Sequence, residues 1–246
     1  MGLLVAFQMV FTAEALGVGL GILLLYLFNI ENKRLIGMLF GSTAGIMLAM
    51  IFFDILPEAF EQGNFYLVAG GTFVGVFLGL SLQSITHYIN QKLDIAQIQD
   101  AKMFQTGISL LIGIAIHNIP EGFAFGSLSI TSQETIVNFA IAIFLHSIPE
   151  TIAVMFPLKK AGVKASFLCM LPIVLGLVMG AGAILGYIFS RTNDVLIVLS
   201  LGLASGIILY IICEDLLPES KHIWNGRMTS VATIIGVLTG YLLVNF

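Results

Sequence analysis

Long apolar stretches alternate with short polar ones along the whole chain, and each stretch is about as long as a helix needs to be to cross a bilayer. At the helical rise, about 20 predominantly apolar residues span the hydrocarbon core. The pattern predicts eight such helices, over 3–28, 35–57, 66–89, 104–128, 134–157, 166–189, 194–217 and 229–245. Connections are short, the longest running from about Asn90 to Met103. The expected fold class is an all-α membrane protein with eight transmembrane helices. These form a single transmembrane domain over 1–246.

A second regularity is a repeat. Displacing the sequence by 161 residues lays spans 1–3 on spans 6–8 without a gap. Gly19, Gly21, Tyr26 and Phe28 meet Gly180, Gly182, Tyr187 and Phe189, and Gly41 and Gly45 meet Gly202 and Gly206. Asp54, Leu56, Pro57 and Glu58 meet Asp215, Leu217, Pro218 and Glu219; Thr72, Gly75 and Gly79 meet Thr233, Gly236 and Gly240. Spans 4 and 5 repeat each other at an offset of 29, with His117-Asn118-Ile119-Pro120-Glu121 over His146-Ser147-Ile148-Pro149-Glu150. Each pair of matching spans differs by an odd number of crossings, so both repeats run in opposite directions through the membrane. The expected arrangement is 3+2+3: a first repeat of about 1–90, central helices at about 104–157, and a second repeat of about 162–246. Inverted repeats of this kind characterise secondary transporters, with the substrate site near the midplane where the halves meet.

Composition and charge orient the bundle. Of 246 residues, 58% are hydrophobic and 10% charged, whereas a soluble domain carries about 25% charged. The odd-numbered loops hold Lys33, Arg34, Lys92, Lys102, Lys159, Lys160, Lys164, Lys221 and Arg227, and the even-numbered ones only Arg191. By the positive-inside rule the odd loops face the cytoplasm and both termini lie outside. The partner is then the lipid bilayer, in a multi-pass protein of the cell (inner) membrane. Nothing forms a basic patch for nucleic acid. The N-terminal stretch lacks an opening Lys or Arg and runs too long for a cleaved leader, so it is expected to be the first span. Cys169 and Cys213 stand singly in apolar runs without CxxC spacing and read as core filling rather than a disulfide or thiolate site.

The chemistry concentrates at the centre of spans 4 and 5. His117 and Glu121 are four residues apart and Asn118 and Glu121 three, so all share one helix face; His146, Ser147 and Glu150 repeat the pattern. A carboxylate at the bilayer centre costs about 3 kcal/mol on insertion scales. Two together call for a positive charge between them, and a divalent cation supplies it while keeping each imidazole neutral for ligation. Two imidazoles and two carboxylates suit Zn, Fe, Mn, Co or Cd in the divalent state and suit Cu(I) poorly. Glu121 and Glu150 have two neighbours each, so two adjacent metal positions are open, one on the His117/His146 side and one on the Asn118/Ser147 side. Pro120 and Pro149 lack an N–H and free the carbonyls of Ile116 and Leu145 four residues back.

Acidic residues also mark the two mouths. Asp54 and Glu58 end span 2 on the expected outer face; Glu214, Asp215 and Glu219 end span 7 on the expected inner face. These are the candidate pathway or gate residues, gathering metal outside and receiving it inside. Glu14 lies deep in span 1, with packing and pathway roles both open.

At these residues the sequence resembles the ZIP (Zrt/Irt-like) family of metal transporters. His117–Gly122 reads HNIPEG, the family signature, and His146–Glu150 reads HSIPE, its related second half. Span count, outward termini and the 3+2+3 arrangement match as well, so the likeness covers the whole chain. It implies uptake of zinc or a related divalent metal into the cytoplasm, a metal centre between spans 4 and 5, and often a homodimer. By that match His117, Glu121, His146 and Glu150 are the primary ligands, with Asn118 and Ser147 at the second position. Many members carry a second His or a longer acidic string in span 5, whereas Ser147 is a weak ligand, and a His-rich loop between spans 3 and 4 where this chain has a short one without His. Two other classes compete. An intramembrane zinc hydrolase would use the same residue types, but the HExxH motif is absent. A cation channel lined by the carboxylates would have no use for alternating-access symmetry.

Overall fold

The computed structural model describes residues 2–28, 32–92, 101–130, 133–192 and 194–245, and among them every regular element is helical. The first is α1, Leu3–Leu27. Next, α2, Lys33–Met50, passes through a π-helical turn at Ile51–Ile55 into α3, Leu56–Gln62. Three long helices follow: α4 (Phe65–Lys92), α5 (Ala101–Leu128) and α6 (Gln133–Lys160). A single turn, α7 (Ala165–Leu168), precedes α8 (Leu171–Ser190). Then α9, Asp194–Ile211, passes through a second π turn at Ile212–Leu216 into α10, Leu217–Ile223, and α11, Arg227–Asn245, closes the series.

Two expected boundaries move. Helical structure was expected to stop at 57 and 217, yet it continues to Gln62 and Ile223. Pro57 and Pro218 stand directly after the π turns, in the first turn of α3 and α10, and neither can donate an N–H back into the preceding turn. The π turn before each proline shifts the register by one residue: Leu56 N–H donates to the Ile51 carbonyl, and Leu217 N–H to that of Ile212. The sixth apolar stretch, expected to be continuous over 166–189, is interrupted at Cys169–Met170, just ahead of Pro172. By contrast, α5 and α6 run unbroken through Pro120 and Pro149.

The repeat governs packing as well as sequence. The boundaries of α2, its π turn and α3 recur 161 residues on in α9, its π turn and α10. Helix α2 packs on α11 as α9 packs on α4; α6 packs on α1 and α2 as α5 packs on α8 and α9. The pairs α1–α8 and α5–α6 lie on the pseudo-two-fold relation and map onto themselves. Backbone contacts obey it too. A Cβ added at Gly45 would stand 2.1 Å from the Thr233 carbonyl, and one at Gly206 would stand 2.1 Å from the Thr72 carbonyl.

Five of the described stretches are long and apolar enough to cross a membrane: Leu3–Leu27, Lys33–Gln62, Ile136–Lys160, Ala165–Ser190 and Val195–Ile223; Phe65–Ser81 and Arg227–Leu242 are shorter apolar helices. Outward faces carry bare Leu16, Leu23, Phe73, Phe77, Leu177 and Ile234. Apolar side chains exposed in such number need lipid as solvent, and the protein is a multi-pass helical membrane protein. Cys169 and Cys213 are free thiols on this exposed surface. The expectation that they fill the core is corrected: apolar neighbours in sequence mark contact with lipid here as readily as burial.

Candidate metal centre

The two middle helices, α5 and α6, lie against each other inside the bundle and bring their repeated motifs together. Asn118, Glu121, His146, Ser147 and Glu150 are all buried, the first four completely. His117 occupies the expected turn of α5, but its side chain lies outside the described residues.

Between the helices, His146 Nε2 stands 3.3 Å from Glu121 Oε2. On the ring's other side Nδ1 donates to the Ala142 carbonyl at 3.0 Å. A carbonyl can only accept, so in the neutral ring the proton sits on Nδ1 and the Nε2 lone pair is turned to the carboxylate. A backbone carbonyl orienting a histidine in this way is the usual support of a metal-binding imidazole. Nε2 and the carboxylate are then two acceptors face to face, which a cation, or a proton on the ring, satisfies. Among the described residues no three His, Cys, Asp or Glu side chains converge on one point. The described geometry is therefore a pair across two helices, with Glu150 buried one turn beyond His146.

Sequence reasoning left Glu14 without an assignment, and the fold brings it into this centre. It is 1% exposed. Its Oε1 accepts from Asn118 Nδ2 at 2.8 Å, and its Oε2 accepts from the Ser147 hydroxyl at 2.5 Å. The signal available in the sequence was its depth in an apolar helix, three residues ahead of Gly17 on the same face.

The acidic residues at and after the two π turns differ in exposure despite their symmetry. Asp54 is 6% exposed, and its Oδ2 has no hydrogen-bond partner among the described residues. Glu58 is half-buried and accepts from Gln62 Nε2 at 3.0 Å. Their counterparts Glu214 and Asp215 are exposed, and Glu219 is half-buried. A cavity of about 400 Å³ joins this second group to the centre: Glu150, Glu214, Asp215, Glu219 and His222 all line it. His222 Nδ1 lies 3.6 Å from Glu219 Oε2. This histidine was missed because the helix was expected to end at 217; its continuation sets His222 one turn past Glu219 on the same face. Close by, Arg34 stacks over the Trp224 ring at 5.1 Å, so the cavity belongs to the end of the bundle that carries basic loops.

The family described as ZIP Zinc transporter matches residues 87–246 of this chain. Similar proteins include the zinc transporter ZupT of Chlorobium luteolum, 30% identical over 240 residues covering 90% of each chain. The ZupT of Chlorobium limicola is 27% identical over 89% of each chain, and that of Clostridium perfringens is 26% identical over 96% of this chain and 93% of its own. Both the family and these relatives are transporters rather than enzymes. With the match spanning well over half its length and a relative at 30% identity along nearly all of it, the chain belongs to the ZIP zinc transporter family.

Proposed function

We propose that this protein is a secondary transporter that moves divalent transition metal ions, zinc foremost and iron, manganese, cobalt or cadmium as competitors, into the cytoplasm. His117, Glu121, His146 and Glu150 hold the ion between α5 and α6, with Asn118 and Ser147 at an adjacent second position. The observation that carries this is the fully buried Glu121–His146 pair across two helices, its imidazole oriented by a backbone carbonyl. A borderline imidazole nitrogen and a hard carboxylate set side by side in the protein interior make a donor set of the kind zinc takes.

In this reading eight spans in a 3+2+3 inverted arrangement form one transport domain in the inner cell membrane, with both termini outside, and two chains pair as a homodimer. The burial difference between Asp54 and Asp215 supports alternating access over a channel. Asp54, at the outer end, is buried, while Glu214, Asp215 and Glu219 share an open cavity with Glu150. Such a state would release metal to the cytoplasm.

Radioactive zinc uptake into proteoliposomes tests it, comparing wild type with His117→Ala/Glu150→Ala in the presence of iron, manganese or cadmium. Saturable uptake lost in the double variant is expected, and the order of competition ranks the substrates. Folded wild-type protein that moves no metal under any imposed gradient would refute the transport reading.

A further inference from the structure

Glu14 reaches its partners from a different helix, 104 residues from Asn118 and 133 from Ser147 in sequence. Its position is built into the fold. Gly17 and Gly21 follow on the same face of α1, and a Cβ on either would stand 2.7 Å from the carbonyls of Phe144 and Ile148 respectively. These glycines draw α1 onto α6 so closely that a glutamate side chain at position 14 ends between α5 and α6 rather than in lipid.

Among the described residues its hydrogen-bond partners are two neutral groups, Asn118 and Ser147. Neutral donors offset only part of the cost of a carboxylate at this depth. The Ser147 hydroxyl, moreover, is shared with the Ile143 carbonyl at 2.7 Å. A second, independent observation lies alongside. Asn118 turns its amide nitrogen to Glu14, which leaves its Oδ1 completely buried and without a hydrogen-bond partner among the described residues. An unsatisfied hard oxygen beside a carboxylate is a donor set for a divalent cation.

We propose that Glu14 is a direct ligand of the transported metal, making the second position a site shared by α1, α5 and α6. Asn118 Oδ1 and the Glu14 carboxylate supply its own ligands, and Glu121 and Glu150 are shared between the positions by side-chain rotation, because no three such side chains already converge among the described residues. Ser147 belongs to this position through Glu14, which its hydroxyl orients. Charge favours this. Two adjacent divalent ions bring four positive charges against the two negative charges of Glu121 and Glu150, and Glu14 adds a third negative charge. The oxygen-only second position is also harder than the histidine-bearing first. The proposal rests on the transport reading and assigns a residue within it.

The test is zinc bound per chain, by elemental analysis after equilibrium dialysis of the purified full chain, together with zinc uptake by proteoliposomes. Wild type is expected to hold two zinc ions. Glu14→Gln keeps the side chain's size and should hold one, with a zinc-free melting temperature no lower than that of wild type, because it removes a buried charge that neutral donors only partly offset. Glu14→Asp, which keeps the charge but withdraws it by one methylene, should weaken the same position; it decides the matter if the Gln variant fails to fold. Equal zinc counts and affinities in wild type and variants would overturn the assignment, as would a variant that melts lower yet still binds two ions, since Glu14 would then be a strut. Wild type that neither binds nor transports zinc would instead fail the transport reading itself.

Discussion

Gly17→Ala isolates the close contact that carries α1 onto the candidate metal centre. The new Cβ would stand 2.7 Å from the Phe144 carbonyl oxygen and 2.8 Å from Ser147 Cβ, whereas ordinary contact begins at 3.4 Å. Both obstacles belong to α6, and neither is the tip of a flexible side chain, so the helices must part by about 0.7 Å at this level. Gly19→Ala is the matched control on the same helix, its nearest atom being Pro172 Cγ at 4.0 Å. Each variant gains about 0.5–1 kcal/mol from replacing a helical glycine, and that gain cancels in the comparison. Overpacking at position 17 costs about 1–3 kcal/mol. For a chain of this length each kcal/mol moves the melting temperature by about 2–4 °C, so Gly17→Ala should melt about 2–12 °C below Gly19→Ala. The same displacement would stretch the Glu14–Ser147 contact from 2.5 Å and should lower zinc uptake. The assay is the loss of the monodisperse size-exclusion peak on heating, in detergent without zinc, followed by uptake in proteoliposomes. A Gly17→Ala protein that melts at or above Gly19→Ala would refute the packing argument.

The difference between the two mouths predicts that, with Cys169 and Cys213 replaced by Ser, a thiol placed by Asp215→Cys reacts much faster with a maleimide than one placed by Asp54→Cys. Equal rates would mean that the closed outer side is not the state in solution. Asp54→Ala should lower uptake only at limiting metal, and unchanged kinetics would remove Asp54 from the pathway. Asn118→Ala should reduce zinc bound per chain while leaving the His146 position occupied; elemental analysis reads this directly. Zinc at a hundredfold excess over its Kd should stabilise the fold by about 2.7 kcal/mol, raising the melting temperature by about 5–11 °C. Chelator should reverse the rise, and Glu121→Ala, which removes a ligand common to both positions, should abolish it; a rise that survives in that variant would place the ion elsewhere.

Sequence by itself determined what depends on local period and on comparing the chain with itself. The apolar runs fixed helices at nearly the lengths observed, since every backbone polar group in lipid must be bonded within its own segment. The paired π turns at Ile51–Ile55 and Ile212–Leu216 were not foreseen, but they keep the 161-residue register that the sequence showed, because equal sequences in equal surroundings fold alike. One-turn spacing put Asn118 with Glu121 and His146 with Glu150 on single faces, and helix geometry alone secures that. Other features only the tertiary structure decided. Helix α1 is apolar on nearly every side, so no periodicity told which face Glu14 shared or that α5 and α6 would receive it. The two cysteines looked like core residues because lipid and protein interior favour the same side chains. Asp54 and Asp215 are equivalent in sequence, and only the packing of the two halves buries one and exposes the other. The repeat makes the two mouths alike in sequence, and contacts between helices far apart in the chain bury one acidic group and leave the other exposed.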